Sequence, residues 1–185
     1  MINLNHLIVF IKIEFGILNI WILNKLAIVI LSWNGKNWLE KFLPKVILYS
    51  QNAEVYVVDN GSTDNSVEFL NLNVQNKENF GFAGGYNEGL KKIDAEIYCL
   101  LNSDVEVTEN WLQPVLNLFE KDKNIAAVQP KILDYNKRNY FEFAGAAGGF
   151  IDNLGYPYCR GRVFEKTEED KGQYDLPRQI ECAPT

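Results

Sequence analysis

The chain has 185 residues, carries 18 lysines and arginines against 24 aspartates and glutamates for a net charge of -6, and is 47% apolar and 23% charged. Such a composition excludes disorder and a fibrous repeat, and it suits one sizeable domain with a true core better than two complete ones. It also lacks the global positive field of a non-specific nucleic-acid binder, so no nucleic-acid partner is expected. Three cysteines far apart in sequence (Cys99, Cys159, Cys182) and a lone histidine, His6, argue against a disulfide framework, a Cys/His zinc site and histidine-based triad chemistry.

Residues 7–23 (LIVFIKIEFGILNIWIL) are apolar apart from Lys12, Glu14, Gly16 and Asn19. Two charges inside the run, each costing roughly 2.5–3.5 kcal/mol in a bilayer core, and a length short of the ~20 clean apolar residues of a span make a membrane helix a poor fit. No small-residue cleavage site follows, which weakens a secretory signal further. The segment is expected to be an extension upstream of a domain that begins near Lys25.

From Leu26 onward short apolar runs alternate with helical periods, which predicts an α/β fold with a Rossmann-like, mainly parallel sheet flanked by helices. Ala27–Leu31 (AIVIL) is a buried strand, closed by Ser32, Trp33, Asn34 and Gly35. Trp38, Leu39, Phe42, Leu43, Val46 and Ile47 then fall at helical spacing, with Pro44 expected to kink or restart the helix. Glu54–Val58 (EVYVV) is a second strand running into Asp59, Asn60 and Gly61, and Ser62 can cap a helix carrying Val67 and Leu70. A short strand around Val74 precedes a loop over Asn79–Gly85, which leads into a helix with Tyr86, Leu90 and Ile93 on one face. Ile97–Leu101 (IYCLL) is the next buried strand, ending in Asn102, Ser103 and Asp104; Trp111, Leu112, Val115, Leu116 and Phe119 mark another helix, and a strand follows near Ile125–Val128. Beyond Pro130 the regularity fades into glycine- and aromatic-rich sequence.

Open parallel sheets bind ligands outside the carboxyl ends of their strands. Here Ser32/Asn34, Asp59/Asn60 and Asn102/Asp104 project from one such edge, a set of carboxylates, amides and hydroxyls suited to a nucleotide and a hard divalent cation. Each alone has a plainer reading. Asp59-Asn60-Gly61 fits an ordinary turn, Asp64 fits the first turn of the following helix, and Asp104 fits a solvated loop acid. Gly81, Gly84 and Gly85 lack the G-x-G-x-x-G spacing of a dinucleotide fold, although they permit close backbone approach to a ligand.

In order, AIVILSWNG, VYVVDNGSTDNSVEFL, NFGFAGGYNEGL and YCLLNSDVEVTENWL resemble the successive signatures of family 2 glycosyltransferases, enzymes with the nucleotide-diphospho-sugar transferase (GT-A) fold. The likeness covers roughly Leu26 to Val128, and FEFAGAAGGFIDNLGYPYCRGR looks like the downstream part of one bacterial subgroup, without a role assigned to it. The resemblance implies transfer of a sugar from a nucleotide-diphospho-sugar donor to a glycan or lipid-linked acceptor, with inversion, in bacterial cell-envelope polysaccharide synthesis. It implies Mg²⁺ or Mn²⁺ as cofactor and a cytoplasmic location, with peripheral contact at the inner face of the membrane left open. Residues 26–130 become the donor-binding domain, 131–185 the start of an acceptor-side region, and 1–25 an apolar extension.

Carried over residue by residue, the resemblance makes Asp59 the acceptor of the nucleobase imide N–H, with Asn60 beside it and with Ser32 and Asn34 lining the base and ribose pocket. Asn87 falls where the family often has an Arg-Asn pair facing the donor, and Asn102-Ser103-Asp104 occupies the Asp-x-Asp position, with Asp104 as metal ligand. Asn102 stands where aspartate is common and Tyr86 where arginine is common, so less charge surrounds the diphosphate. Glu106, two residues on, would share a face with Asp104 on an extended backbone.

An inverting transfer also needs a carboxylate base, which in the family lies in an acidic motif expected after Thr185. Glu142 and Asp152 lack that context and read as surface acids, Arg160 and Arg162 as phosphate partners or a solvated basic loop, and Cys99 as a core thiol. The chain looks cut at its last residues, and is expected to bind donor but transfer little sugar. Two other readings stay open: a non-catalytic nucleotide-binding fragment or subunit, and a sugar-nucleotide pyrophosphorylase, for which residues 32–36 (SWNGK) do not supply the early basic glycine loop.

Overall fold

The computed structural model describes residues 8–12, 26–66, 68, 74–144 and 146–179, which fall into two compact units, one of residues 8–128 and one from 129 onward. The first holds a six-stranded sheet. Its elements are β1 (Ile8–Lys12), β2 (Leu26–Ser32), α1 (Lys36–Tyr49), β3 (Glu54–Asp59), β4 (Val74–Gln75), α2 (Gly81–Leu90), β5 (Ile97–Asn102), α3 (Gln113–Lys121) and β6 (Ala127–Val128). The strand order is β4-β3-β2-β5-β1-β6, with β2 to β5 mutually parallel and β1 antiparallel to both of its neighbours.

β2 reads LAIVILS without alternation because both of its faces are covered. Ala27 and Val29 pack with Val58, Tyr86, Ile93 and Tyr98 on one side, while Ile28 and Ile30, which a strand turns to the other side, are equally buried. Of the apolar residues at helical spacing, α1 buries Leu39, Phe42 and Val46, whereas Trp38 and Ile47 are exposed. The helix runs through Pro44 from Lys36 to Tyr49, so it does not restart there. Pro44 lies on the exposed side of α1, where water can serve the carbonyl that proline leaves without its intrahelical partner.

Two expectations are corrected in this unit. Ile8–Lys12, assigned from sequence to an extension before the domain, is a strand of the sheet: Phe10 lies opposite Cys99 on β5 and Val128 on β6, is fully buried, and meets the Trp111 ring at 5.7 Å. Gly81, Gly84 and Gly85, expected in a loop, lie inside α2. Tertiary packing overrides glycine's poor helix propensity here, because a Cβ on Gly85 would stand 2.9 Å from the Asn60 amide and one on Gly89 2.7 Å from the Val58 side chain. Of the remaining expectations, the helix to carry Val67 and Leu70 falls on residues outside those described. Among the described residues no helix is long and apolar enough to cross a membrane.

The second unit contains two small antiparallel ribbons, β7 (Gly149–Ile151) with β8 (Pro157–Cys159) and β9 (Arg162–Val163) with β10 (Lys166–Thr167), around a core of Phe141, Ala146, Ala147 and Cys159. Lys131 Nζ ties this unit together through Asp170 at 2.6 Å and Asp175 at 2.5 Å. The Lys131 hydrogen bond holds the Asp170 carboxyl below its usual range, and although burial pulls Lys131 down, its two carboxylate partners hold it above its ordinary value. A depressed carboxyl pKa contributes stability above its unfolded value of about 3.9 and loses it as pH falls through the folded value. Lys131→Met should therefore lower the melting temperature near neutrality, and the gap between variant and wild type should shrink as pH drops from about 5 to about 3. A gap of constant size across that range, followed by circular dichroism, would remove the Asp170 pair from the stability of this unit.

Candidate donor site at the carboxyl edge of the sheet

The register of three parallel strands builds the site. β2 is bonded on one side to β3, with Ser32 opposite Asp59, and on the other to β5, with Leu31 opposite Asn102, so Ser32, Asp59 and Asn102 end side by side. The loop after β2 closes over this edge: a Cβ on Gly35 would stand 2.4 Å from Ser32 Oγ and 3.7 Å from Ser103 Oγ. Among the described residues, the buried side-chain polar atoms left without a hydrogen-bond partner are Ser32 Oγ, Asp59 Oδ1 and Asn76 Oδ1, all at this edge. Folded proteins satisfy most such atoms, so three of them gathered together mark a place with unmet binding capacity.

Asp59 is held for a purpose its turn does not explain. Its Oδ2 accepts the Ser62 N–H at 3.1 Å, as an aspartate in a turn does, yet Oδ1 stays buried and unpartnered. The backbone on either side is clamped, with Asn60 N–H donating to the Ser32 carbonyl and Asn76 N–H to the Asp59 carbonyl, both at 2.8 Å. Gly61 completes the turn at φ 75°, where a Cβ would also come within 2.7 Å of the Glu78 carbonyl carbon.

Asn34 and Asp64 brace the loops after β2 and β3 against each other. Asn34, left-handed at φ 51°, accepts on Oδ1 from Thr63 N–H at 2.8 Å and Asp64 N–H at 3.3 Å, and its own N–H donates to Ser62 Oγ at 2.9 Å. Asp64 returns the contact by accepting from Lys36 N–H, at the start of α1, at 3.4 Å. Burial raises the Asp64 carboxyl, but donors from Ser66 and Lys36 outweigh it and hold it below the usual range. Asp64 thus acts across 28 residues on α1, a role that its reading as a first-turn acid of the next helix did not contain.

Asn60 is 2% exposed and its amide is fully occupied. Nδ2 donates to Asn79 Oδ1 at 2.9 Å and to the Gly81 carbonyl at 3.1 Å, while Oδ1 accepts from Asn76 Nδ2 at 3.1 Å and Phe80 N–H at 3.3 Å. Asn76, 3% exposed, also donates to the Gly85 carbonyl at 3.1 Å, and Asn79 Oδ1 accepts the Gly81 N–H at 2.8 Å at the start of α2. Sequence reading missed Asn76 and Asn79. Their only signal was two asparagines flanking the run into the glycine-rich segment, and their partner lies 16 to 19 residues back.

Tyr86 is buried in the sheet's core cluster and donates its hydroxyl to the Leu101 carbonyl at 3.1 Å; burial raises its pKa. The residue at the family's arginine position therefore pins α2 to β5, and Asn87 next to it is exposed on α2. Asn102 ends β5, and it and Asp104 are partly exposed, each engaged by neighbouring groups. Val105 and Val107 are buried while Asp104 and Glu106 are partly exposed, which matches the expected alternation. Glu106 pairs with Lys45 Nζ at 2.8 Å. Among the described residues no group of three or more His, Cys, Asp or Glu side chains is arranged to hold a metal by itself.

The second unit's candidates are built into its own fold. The Arg160 guanidinium stacks on Phe150 at 4.7 Å and Tyr174 at 5.0 Å and donates twice to the Ala147 carbonyl, and Arg162 lies over Phe143 at 4.5 Å and donates to its carbonyl. Neither is the solvated loop arginine of the plainer reading. Glu142, read as a surface acid, is buried and accepts the Ala144 N–H, whereas Asp152 is exposed and holds the β7–β8 turn through Leu154 and Tyr156 N–H. Cys99 is fully buried, and burial lifts its thiol well above the ordinary range, as suits a core residue.

Comparison with known proteins bears on the family and the fold. Residues 27–180 match the family model described as Glycosyl transferase family 2. Glycosyltransferase GlyG of Streptococcus pneumoniae serotype 4 is 28% identical over 149 residues, covering 75% of this chain and 45% of that protein. Chondroitin synthase of Escherichia coli is 26% identical over 128 residues, covering 64% of this chain and 18% of that protein. The chain thus spans less than half the length of these curated relatives. The crystal structure of S. aureus TarS 1-349 superposes with a TM-score of 0.53 at 19% identity, over 70% of this chain and 42% of that one, and shows a shared fold.

Proposed function

The chain belongs to glycosyl transferase family 2 and has the GT-A fold, and from that premise we propose that its first unit binds a nucleotide-diphospho-sugar, for transfer of the sugar to a glycan or lipid-linked acceptor at the cytoplasmic face of the membrane. The observation that carries this reading is the cluster of unpartnered buried polar atoms at the ends of β2 and β3, Asp59 Oδ1 above all. With Oδ2 fixed by Ser62, Asp59 presents a single oriented acceptor, which suits the imide N–H of uracil or thymine. Ser32 Oγ, opposite it in register, can donate to the base or ribose.

Asn102, Ser103 and Asp104 at the end of β5 are the groups for the diphosphate side. Mg²⁺ is ordinarily held by one or two carboxylates together with phosphate oxygens and water. Among the described residues no three ligating side chains gather there, which fits a cation that arrives with the diphosphate better than one caged by protein alone. Asp104 would hold Mg²⁺ or Mn²⁺ there, and the ion would supply stabilisation of the negative charge on the departing nucleoside diphosphate.

Calorimetric titration of UDP and dTDP, with Mg²⁺ or with EDTA, tests the reading in wild type and Asp104→Asn. Metal should strengthen nucleotide binding to wild type by on the order of tenfold and have little effect on the variant. A metal effect of equal size in both proteins would take Asp104 out of the role. Failure of wild type to bind either nucleotide would overturn the donor reading itself.

A further inference from the structure

We infer that Asn60, Asn76 and Asn79 form an amide brace that sets the start of α2 against the end of β3, and that Asn60 is a positioning residue of the donor site which does not itself touch the nucleotide. The inference rests on the donor-binding reading above and assigns Asn60 a different part in it from the direct contact its place beside Asp59 suggests.

Capacity decides the point. A carboxamide offers two N–H donors and an oxygen with two lone pairs, and all four are used inside the protein. Its orientation is fixed by backbone: the Phe80 N–H can only donate and the Gly81 carbonyl can only accept, so turning the amide over would set like against like at both. Nothing of the Asn60 side chain is left to offer a ligand. The Gly85 backbone packs so close to that amide that a Cβ would stand 2.9 Å from its atoms, and Asn76 fastens the Gly85 carbonyl from the other side. The brace is continuous with the site, because Asn76 N–H holds the Asp59 carbonyl and Asn60 N–H holds the Ser32 carbonyl. A shift in these amides therefore moves Ser32 and Asp59, two of the three residues whose unpartnered atoms mark the site.

The bonds also specify which isosteric change is tolerated. Both described bonds of the Asn79 side chain use its Oδ1 as acceptor, so Asn79→Asp keeps them. Asn60→Asp loses both donated bonds and sets a carboxylate oxygen against Asn79 Oδ1 and the Gly81 carbonyl. The two variants add the same charge at neighbouring places, so each controls for the other's effect on an anionic ligand.

The test measures hydrogen exchange of the α2 amides without nucleotide, and UDP and dTDP affinity by calorimetry, in the 185-residue wild type, Asn60→Asp and Asn79→Asp. Asn60→Asp should speed α2 exchange and weaken nucleotide binding by on the order of tenfold or more, while Asn79→Asp stays within about threefold of wild type in both. Weakened binding by Asn60→Asp with unchanged nucleotide-free exchange would make Asn60 a contact residue and overturn the inference. Equal sensitivity of the two variants would overturn it as well. If wild type binds neither nucleotide, the donor reading fails separately, and the brace stands or falls on the exchange contrast. Should Asn60→Asp not fold, Asn79→Ala removes the acceptor from the opposite end of the same bond and must speed α2 exchange where Asn79→Asp does not.

Discussion

Phe10→Ala should lower the unfolding free energy by about 3–5 kcal/mol, the range for removing a large aromatic from a packed core. Phe10 sits between β5 and β6 with no exposed surface, faces Cys99 and Val128 across the two ladders, and packs its ring on Trp111. Against a total stability of roughly 5–15 kcal/mol for a domain, the loss is severe. Urea unfolding followed by tryptophan fluorescence measures it, and Ile11→Ala, at a half-buried position of the same strand, should cost clearly less. If both variants unfold at the wild-type midpoint, the first strand contributes nothing measurable to the sheet's stability. Because β5 leads directly to Asn102 and Asp104, the expected loss reaches the site as well as the fold.

Asp59→Ala should weaken UDP or dTDP binding by roughly tenfold to a hundredfold, the equivalent of about 1.5–3 kcal/mol for one hydrogen bond to a charged acceptor. The carboxylate is 1% exposed, one oxygen is held by Ser62 N–H and the other has no partner among the described residues. Asp59→Asn separates charge from shape. It retains an oxygen for Ser62 but sets an N–H where Oδ1 faces the base, so an acceptor role predicts a loss close to that of alanine. Wild-type affinity in both variants, measured by calorimetry, would remove Asp59 from the site; full affinity in Asp59→Asn alone would show that the charge and the acceptor are not used.

The strand ends were legible because their signal is local. β2, β3 and β5 are short apolar runs stopped by polar residues, and in a parallel sheet that pattern alone brings Ser32, Asp59 and Asn102 to one edge. What each side chain does there was not legible. Asn34, Asp59 and Asn60 all lie at or just after strand ends and look alike in sequence, yet Asn34 braces a neighbouring loop, Asp59 keeps an unpartnered oxygen and Asn60 spends its amide on α2. Hydrogen-bond capacity is allotted by neighbours 16 to 29 residues away, and no local pattern records that.

The same division runs through the fold. Periodicity and composition by themselves determined an α/β chain with a mainly parallel sheet, the buried positions Leu39, Phe42 and Val46 of α1 and the polar carboxyl edge, since each depends on residues a few positions apart. Only the tertiary structure decided that Ile8–Lys12 is a strand, because its partners are β5 and β6, far along the chain, and an apolar run with Lys12 at its end fits a sheet as readily as an extension. Only the tertiary structure decided that the helix carrying Tyr86 and Leu90 already begins at Gly81, because glycine's propensity argues against it locally. The space at Asn60 and Val58, which no Cβ at Gly85 or Gly89 could share, argues for it globally.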